Sequence, residues 1–127
     1  MRRFTIALCA IATAAAAPAF ANDRPERELG YARGALGYEA LMRADYSVAE
    51  QQIEARNGAA ANDPARLLNL ATVYLRTGRI ANARALFEAV RDHRRHFALE
   101  MANGAVMDSR EVARVALERM GETYAAR

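Results

Sequence analysis

Residues 64–90 read PARLLNLATVYLRTGRIANARALFEAV, and two amphipathic helices joined by a tight turn account for the stretch. Asn62-Asp63 precedes Pro64, a capping pair followed by proline at the first helical position, where no backbone N–H is needed. Leu67, Leu70, Ala71 and Tyr74 then recur at helical spacing, so the first helix runs to about Arg76. Thr77-Gly78 turns the chain, and a second helix from about Ile80 to Arg91 places Ala83, Phe87 and Val90 on one face. Ala71 and Ala83 are small enough to let helix axes approach, while Tyr74 and Phe87 fill the remaining space. Such a pair buries little alone and needs neighbours.

The chain on either side supplies them. Upstream, Asn22 or Asp23 can cap a helix with Pro25 in its opening turn, running to about Arg43. That helix carries Gly30, Gly34 and Gly37, each costing up to ~1 kcal/mol relative to alanine in a helix interior. Close approach of a neighbouring helix is the ordinary reason for them; a groove admitting a ligand backbone is the sharper one. Ala44-Asp45-Tyr46 makes a tight break, and Val48, Ala49, Gln52 and Ile53 mark a further helix ending at Asn57-Gly58.

Downstream the period changes. Phe97 to Ala102 and Ala105 to Met107 flank Asn103-Gly104, which predicts a small hairpin closed by a type I′ turn with positive φ at both central residues. Asp108 and Glu111 have the spacing of a capping box for a last helix. Its apolar stripe is Val112, Ala113, Ala116, Leu117, Met120 and Tyr124, with Arg110, Glu111, Arg114 and Glu118 away from it.

The spacing of Leu67, Leu70, Ala71, Tyr74, Gly78, Ala83, Phe87 and Val90 resembles the tetratricopeptide (TPR) repeat, a helix-turn-helix unit of roughly 34 residues. An earlier, degenerate repeat carries Gly37, Ala44, Tyr46, Ala49 and Ile53, but Arg33 replaces a large apolar residue and Ala40 an aromatic. The resemblance spans roughly Tyr31 to Arg91, and a plain four-helix hairpin array is the alternative. It implies an all-α fold, an α-α superhelix of TPR-like repeats with a small C-terminal hairpin and capping helix. The organisation is then a signal peptide (1–21), two repeats with an N-terminal helix (22–93), and the hairpin with its capping helix (94–127).

The family binds extended peptides or partner helices in the groove lined by the first helix of each repeat. Carried onto this sequence, the groove takes Tyr31, Gly34, Ala35, Tyr38, Leu41 and Met42 from the first repeat. The second contributes Leu68, Asn69, Thr72, Leu75 and Arg76. The resemblance implies that Asn69 bonds a ligand's backbone, and the planar fork of Arg76 suits a carboxylate. The family's full basic clamp is incomplete here.

The first twenty-one residues have the layout of a secretory signal: Arg2 and Arg3, an apolar run from Phe4 to Ala17, and Ala19-Phe20-Ala21 as an A-x-A cleavage site. Cleavage near Ala21 leaves 106 of the 127 residues, with no transmembrane span, and removes Cys9, the only cysteine. The mature chain would be periplasmic or secreted, in a Gram-negative bacterium, and held by packing without a disulfide. Its basic residues, all arginine, would number sixteen against fifteen acids, giving little footprint for nucleic acid.

Nothing else speaks for catalysis. The mature chain has no cysteine nucleophile, no phosphate-cradling glycine loop and no serine–histidine–aspartate set, so no cofactor and no enzyme activity are expected. Glu50 and Glu54 read as solvated charges, and Asp92, His93 and His96 are too few for a metal site. Arg91, Arg94 and Arg95, with His93 and His96, read first as cations at a helix end and second as an anion contact. The expected function is a non-catalytic adaptor for a protein or peptide. The rivals are an envelope-surface binder of anionic lipid or polysaccharide through that run, and a self-assembling homo-oligomer.

Overall fold

The computed structural model describes residues 34–55 and 61–125. The expected signal segment, Gly30, Tyr31, Arg33 and Asn57-Gly58 lie outside them. Along the described chain run α1 (Tyr38–Met42), α2 (Tyr46–Glu54), α3 (Pro64–Arg76), α4 (Ile80–Arg91), β1 (Ala98–Glu100), β2 (Val106–Asp108) and α5 (Ser109–Ala125). Successive helices pack on one another across their connections, and α1 also meets α3 while α3 meets α5. The odd-numbered helices are therefore neighbours.

The central hairpin follows from its caps. The Asp63 carboxylate accepts the backbone N–H of Arg66 at 3.1 Å, and Pro64 opens α3. At the other end Gly78 adopts φ +78°, Gly78 N–H donates to Leu75 O, and Arg79 N–H donates to Tyr74 O at 2.8 Å. These two bonds form a Schellman motif, which satisfies the orphan carbonyls of α3 and turns the chain into α4.

The same motif closes α1, with Ala44 N–H donating to Leu41 O and Asp45 N–H to Ala40 O. Here the left-handed residue is Ala44 at φ +58°, the one non-glycine with positive φ among the described residues. Its Cβ opposes that conformation by ~1 kcal/mol. Ala44→Gly should therefore raise the thermal midpoint by a few degrees, read by circular dichroism, since less strain is held in the native turn.

The long first helix predicted to Arg43 is interrupted in its described part. Gly34 and Gly37 take φ +76° and +60°, Gly37 N–H closes a turn on Gly34 O, and only Tyr38–Met42 is helical. The glycines serve a turn. A Cβ on Gly37 would sit 2.9 Å from the Ala49 carbonyl oxygen and 3.0 Å from Ile53 Cγ1, so α2 also presses against it.

Two apolar clusters share α3. The larger joins Leu68, Ala71, Ala83, Phe87, Val90, Ala113 and Met120, flanked by Val112, Ala116, Leu117 and Tyr124, the whole predicted stripe of α5. The smaller gathers Ala40, Ala49, Ile53, Leu70 and Val73 from α1, α2 and α3. Tyr74 and Leu86 border both, so the two halves form one continuous interior.

The hairpin forms where expected but with a different turn. Glu100 pairs with Val106, Met101 N–H donates to Ala105 O, and Gly104 N–H donates to Met101 O at 2.8 Å. Of Asn103 and Gly104 only the glycine has positive φ. The loop is a three-residue one, with a left-handed glycine after a four-residue turn, in place of the type I′ turn. Asn103 instead accepts the N–H of Ala105 through its side chain.

Candidate binding surfaces

Five of the eleven predicted groove residues lie on α3. Arg76 is exposed at its last turn and has no ion-pair partner among the described residues. Thr72 is half-buried and donates its hydroxyl to Leu68 O, one turn back. Tyr38 is half-buried on α1; Leu41 packs against the smaller cluster, and Met42 is 60% exposed. Ala35 is buried.

Leu68 and Asn69 sit differently from expectation. Leu68 is 5% exposed and belongs to the cluster that α5 closes, so it is a core residue instead of a groove wall. Leu75 packs against the same cluster. The Asn69 amide donates to Leu36 O at 2.8 Å, so it already holds a backbone carbonyl of this chain. Its local spacing gave no warning of a partner 33 residues earlier.

The carboxylates on α2 are engaged too. Arg79 donates to both oxygens of Glu50, at 2.6 and 2.7 Å, and its guanidinium lies 4.2 Å from the centre of the Tyr74 ring. Tyr74 in turn donates to Glu54 at 3.3 Å. Glu50 and Glu54 thus tie α2 to the α3–α4 hairpin, Glu54 while remaining exposed. Arg66, only 8% exposed, adds a third tie by donating to Ile53 O in the last turn of α2 at 2.7 Å.

The hydrogen bond from Arg79, ahead of the opposing effect of burial, holds the Glu50 carboxyl below its ordinary value of 4.5. A depressed folded-state value means stability that is fully present above 4.5 and lost as pH falls through the lower value. Glu50→Gln should flatten the acid side of the stability curve, measured by thermal melts between about pH 3 and pH 6.

The connection from α4 to β1 is held by many hydrogen bonds. Arg91 closes on the neighbouring Asp92, with two contacts of 2.8 Å, and this pairing holds the Asp92 carboxyl below its usual range. His93 Nδ1 lies against the backbone of Arg95, and His96 Nδ1 lies 2.6 Å from Asp108. Asp92, His93 and His96 are therefore each engaged with a different partner.

Three bonds from Arg110 fasten this connection to α5: to His93 O at 2.7 and 3.1 Å and to Arg94 O at 3.2 Å. Buried Ser109 accepts the Phe97 N–H and returns its own N–H to Phe97 O. Asp108 caps α5 by accepting the Arg110 N–H at 2.9 Å. Glu111 pairs with Arg114 instead of completing a capping box. In the sequence Arg110 lies away from the apolar stripe of α5. Only the fold brings it to carbonyls sixteen and seventeen residues earlier.

Arg94 and Arg95 stay exposed, with no ion-pair partner among the described residues. Among the described residues no helix is long and apolar enough to cross a membrane, and no group of three or more His, Cys, Asp and Glu side chains is placed to hold a metal. No protein-family model matches this chain, and no curated protein or solved structure matches it either.

Proposed function

We propose that this chain is a non-catalytic protein-binding module, a short TPR-like helical array that holds a peptide or partner helix across the α1–α3–α5 face. It acts in the periplasm or outside the cell after removal of residues 1–21. The observation that supports the reading is that α3 touches both α1 and α5, the neighbourhood that a shared face requires. Arg76 is the group on that face best placed for a partner, being exposed and without an ionic partner among the described residues. Asn69 supports the face from beneath, by fixing the Leu36 carbonyl.

The two residues should separate cleanly. Arg76→Glu should weaken capture of the partner about tenfold or more while leaving the melting curve in place, because an exposed charge is reversed and no bond is broken. Asn69→Ala should lower stability by about 1 kcal/mol through loss of the hydrogen bond to Leu36, with capture following stability. Affinity capture with purified variants, beside their thermal melts, checks both. Unchanged capture by Arg76→Glu would remove this face from the binding site.

A further inference from the structure

We propose that the cleft between the start of α3 and the α4–β1 connection is a second docking site, for an acidic peptide segment bearing an apolar side chain. The cleft measures about 610 Å³ and is lined by Asp63, Pro64, Asp92, Arg94, Arg95 and Phe97 among others. It is open to solvent, so it suits a segment lying across it better than an enclosed ligand. Pro64 and Arg76 are the two ends of α3, twelve residues or about 18 Å apart, so this site is independent of the α1–α3–α5 face.

The lining sets two carboxylates, Asp63 and Asp92, against two guanidiniums, Arg94 and Arg95, and Arg91 beside them adds one positive charge. Asp92 is taken by Arg91, and Asp63 is committed to the cap of α3. Arg94 and Arg95 have no such partner among the described residues, which leaves two guanidiniums facing solvent beside carboxylates already engaged. Each guanidinium presents a planar fork that a carboxylate can meet with two hydrogen bonds. Phe97, 43% exposed, adds an apolar surface next to them. The complement is a segment with carboxylates flanking an aliphatic or aromatic residue.

The segment is also held ready. Arg110 grips the carbonyls of His93 and Arg94, and Ser109 exchanges two hydrogen bonds with Phe97. A connection without regular structure is thus fixed at both ends by α5, so a ligand need not order its backbone on binding. A peptide fits this arrangement better than a bilayer. The arginines and Phe97 line a concavity, which a flexible chain can enter and a flat bilayer surface meets only at its rim.

The test uses the whole chain and a fluorescein-labelled peptide, Asp-Leu-Glu-Phe-Glu-Asp, followed by fluorescence anisotropy at low salt. Saturable binding is expected. Arg94→Glu with Arg95→Glu should weaken it about a hundredfold, since each lost charge-assisted contact removes about tenfold. Phe97→Ser should weaken it severalfold, whereas Arg76→Glu should leave it unchanged. Arg94→Gln with Arg95→Gln supplies a milder pair, and helicity by circular dichroism shows that each variant is folded. Absence of saturable binding, or equal binding by the folded arginine variants, would overturn the proposal. Arginine-dependent binding to vesicles containing anionic phospholipid, without binding of the peptide, would overturn it in favour of a lipid surface. Loss of peptide binding in Arg76→Glu would overturn the separateness of the two sites.

Discussion

Phe87→Ala should destabilise the protein by about 3–5 kcal/mol, the range for removing a buried aromatic ring and leaving its space unfilled. Phe87 is 3% exposed in the cluster that unites α3, α4 and α5. Its neighbours Ala71, Ala83 and Ala113 are fully buried and have no longer side chain with which to refill the gap. Domains of this size are stable by only about 5–15 kcal/mol, so a large part of that margin would be gone. Urea denaturation should show a much lower midpoint with a similar slope. A change below about 1 kcal/mol would mean that Phe87 does not hold these helices together.

Gly37→Ala should cost about 2–5 kcal/mol, in two parts that can be separated. The left-handed φ of +60° opposes any Cβ by about 1–2 kcal/mol, and the contacts of 2.9 Å to Ala49 O and 3.0 Å to Ile53 Cγ1 require α2 to shift, adding about 1–3 kcal/mol. Gly78→Ala isolates the first part, because Gly78 has φ +78° and no heavy atom near an added Cβ. The midpoint should fall roughly 10 °C or more for Gly37→Ala and about half as far for Gly78→Ala. Equal losses would show that α2 does not press on Gly37.

Comparison of these two glycines also shows what the sequence revealed. Gly78 follows a helical run and precedes another, so local spacing alone identifies it as a turn, and α3 and α4 emerge with the expected ends. Gly34 and Gly37 lie in a stretch whose capping and charge pattern reads as one helix, and the break depends on their contact with α2. The stripe of α5 was legible because one helix face faces one cluster. At the β-hairpin, Asn103-Gly104 marked the place, while the pairing of Glu100 with Val106 set the loop length.

Candidate site residues were less legible, for a related reason. Size patterns report which face of a helix packs, but they do not report which long side chain finds a distant carbonyl. Asn69 reaches Leu36, Arg66 reaches Ile53, and Arg110 reaches His93; each bond exists only once helices distant in sequence have docked. Leu68 looked like a groove wall until α5 closed the cluster that contains it. By contrast, the exposure of Arg76, Arg94 and Arg95 follows from position alone, at the ends of predicted helices or beyond them.

The most direct measurement of a binding role for the α1–α3–α5 face is photocrosslinking in the native cells, with a photoreactive amino acid in place of Arg76. The same residue in place of Asn82, exposed on α4, serves as the reference. One dominant foreign protein joined through position 76 and not through position 82 is the expected result. Adducts only to a second copy of the chain, or the same set of adducts from both positions, would contradict it.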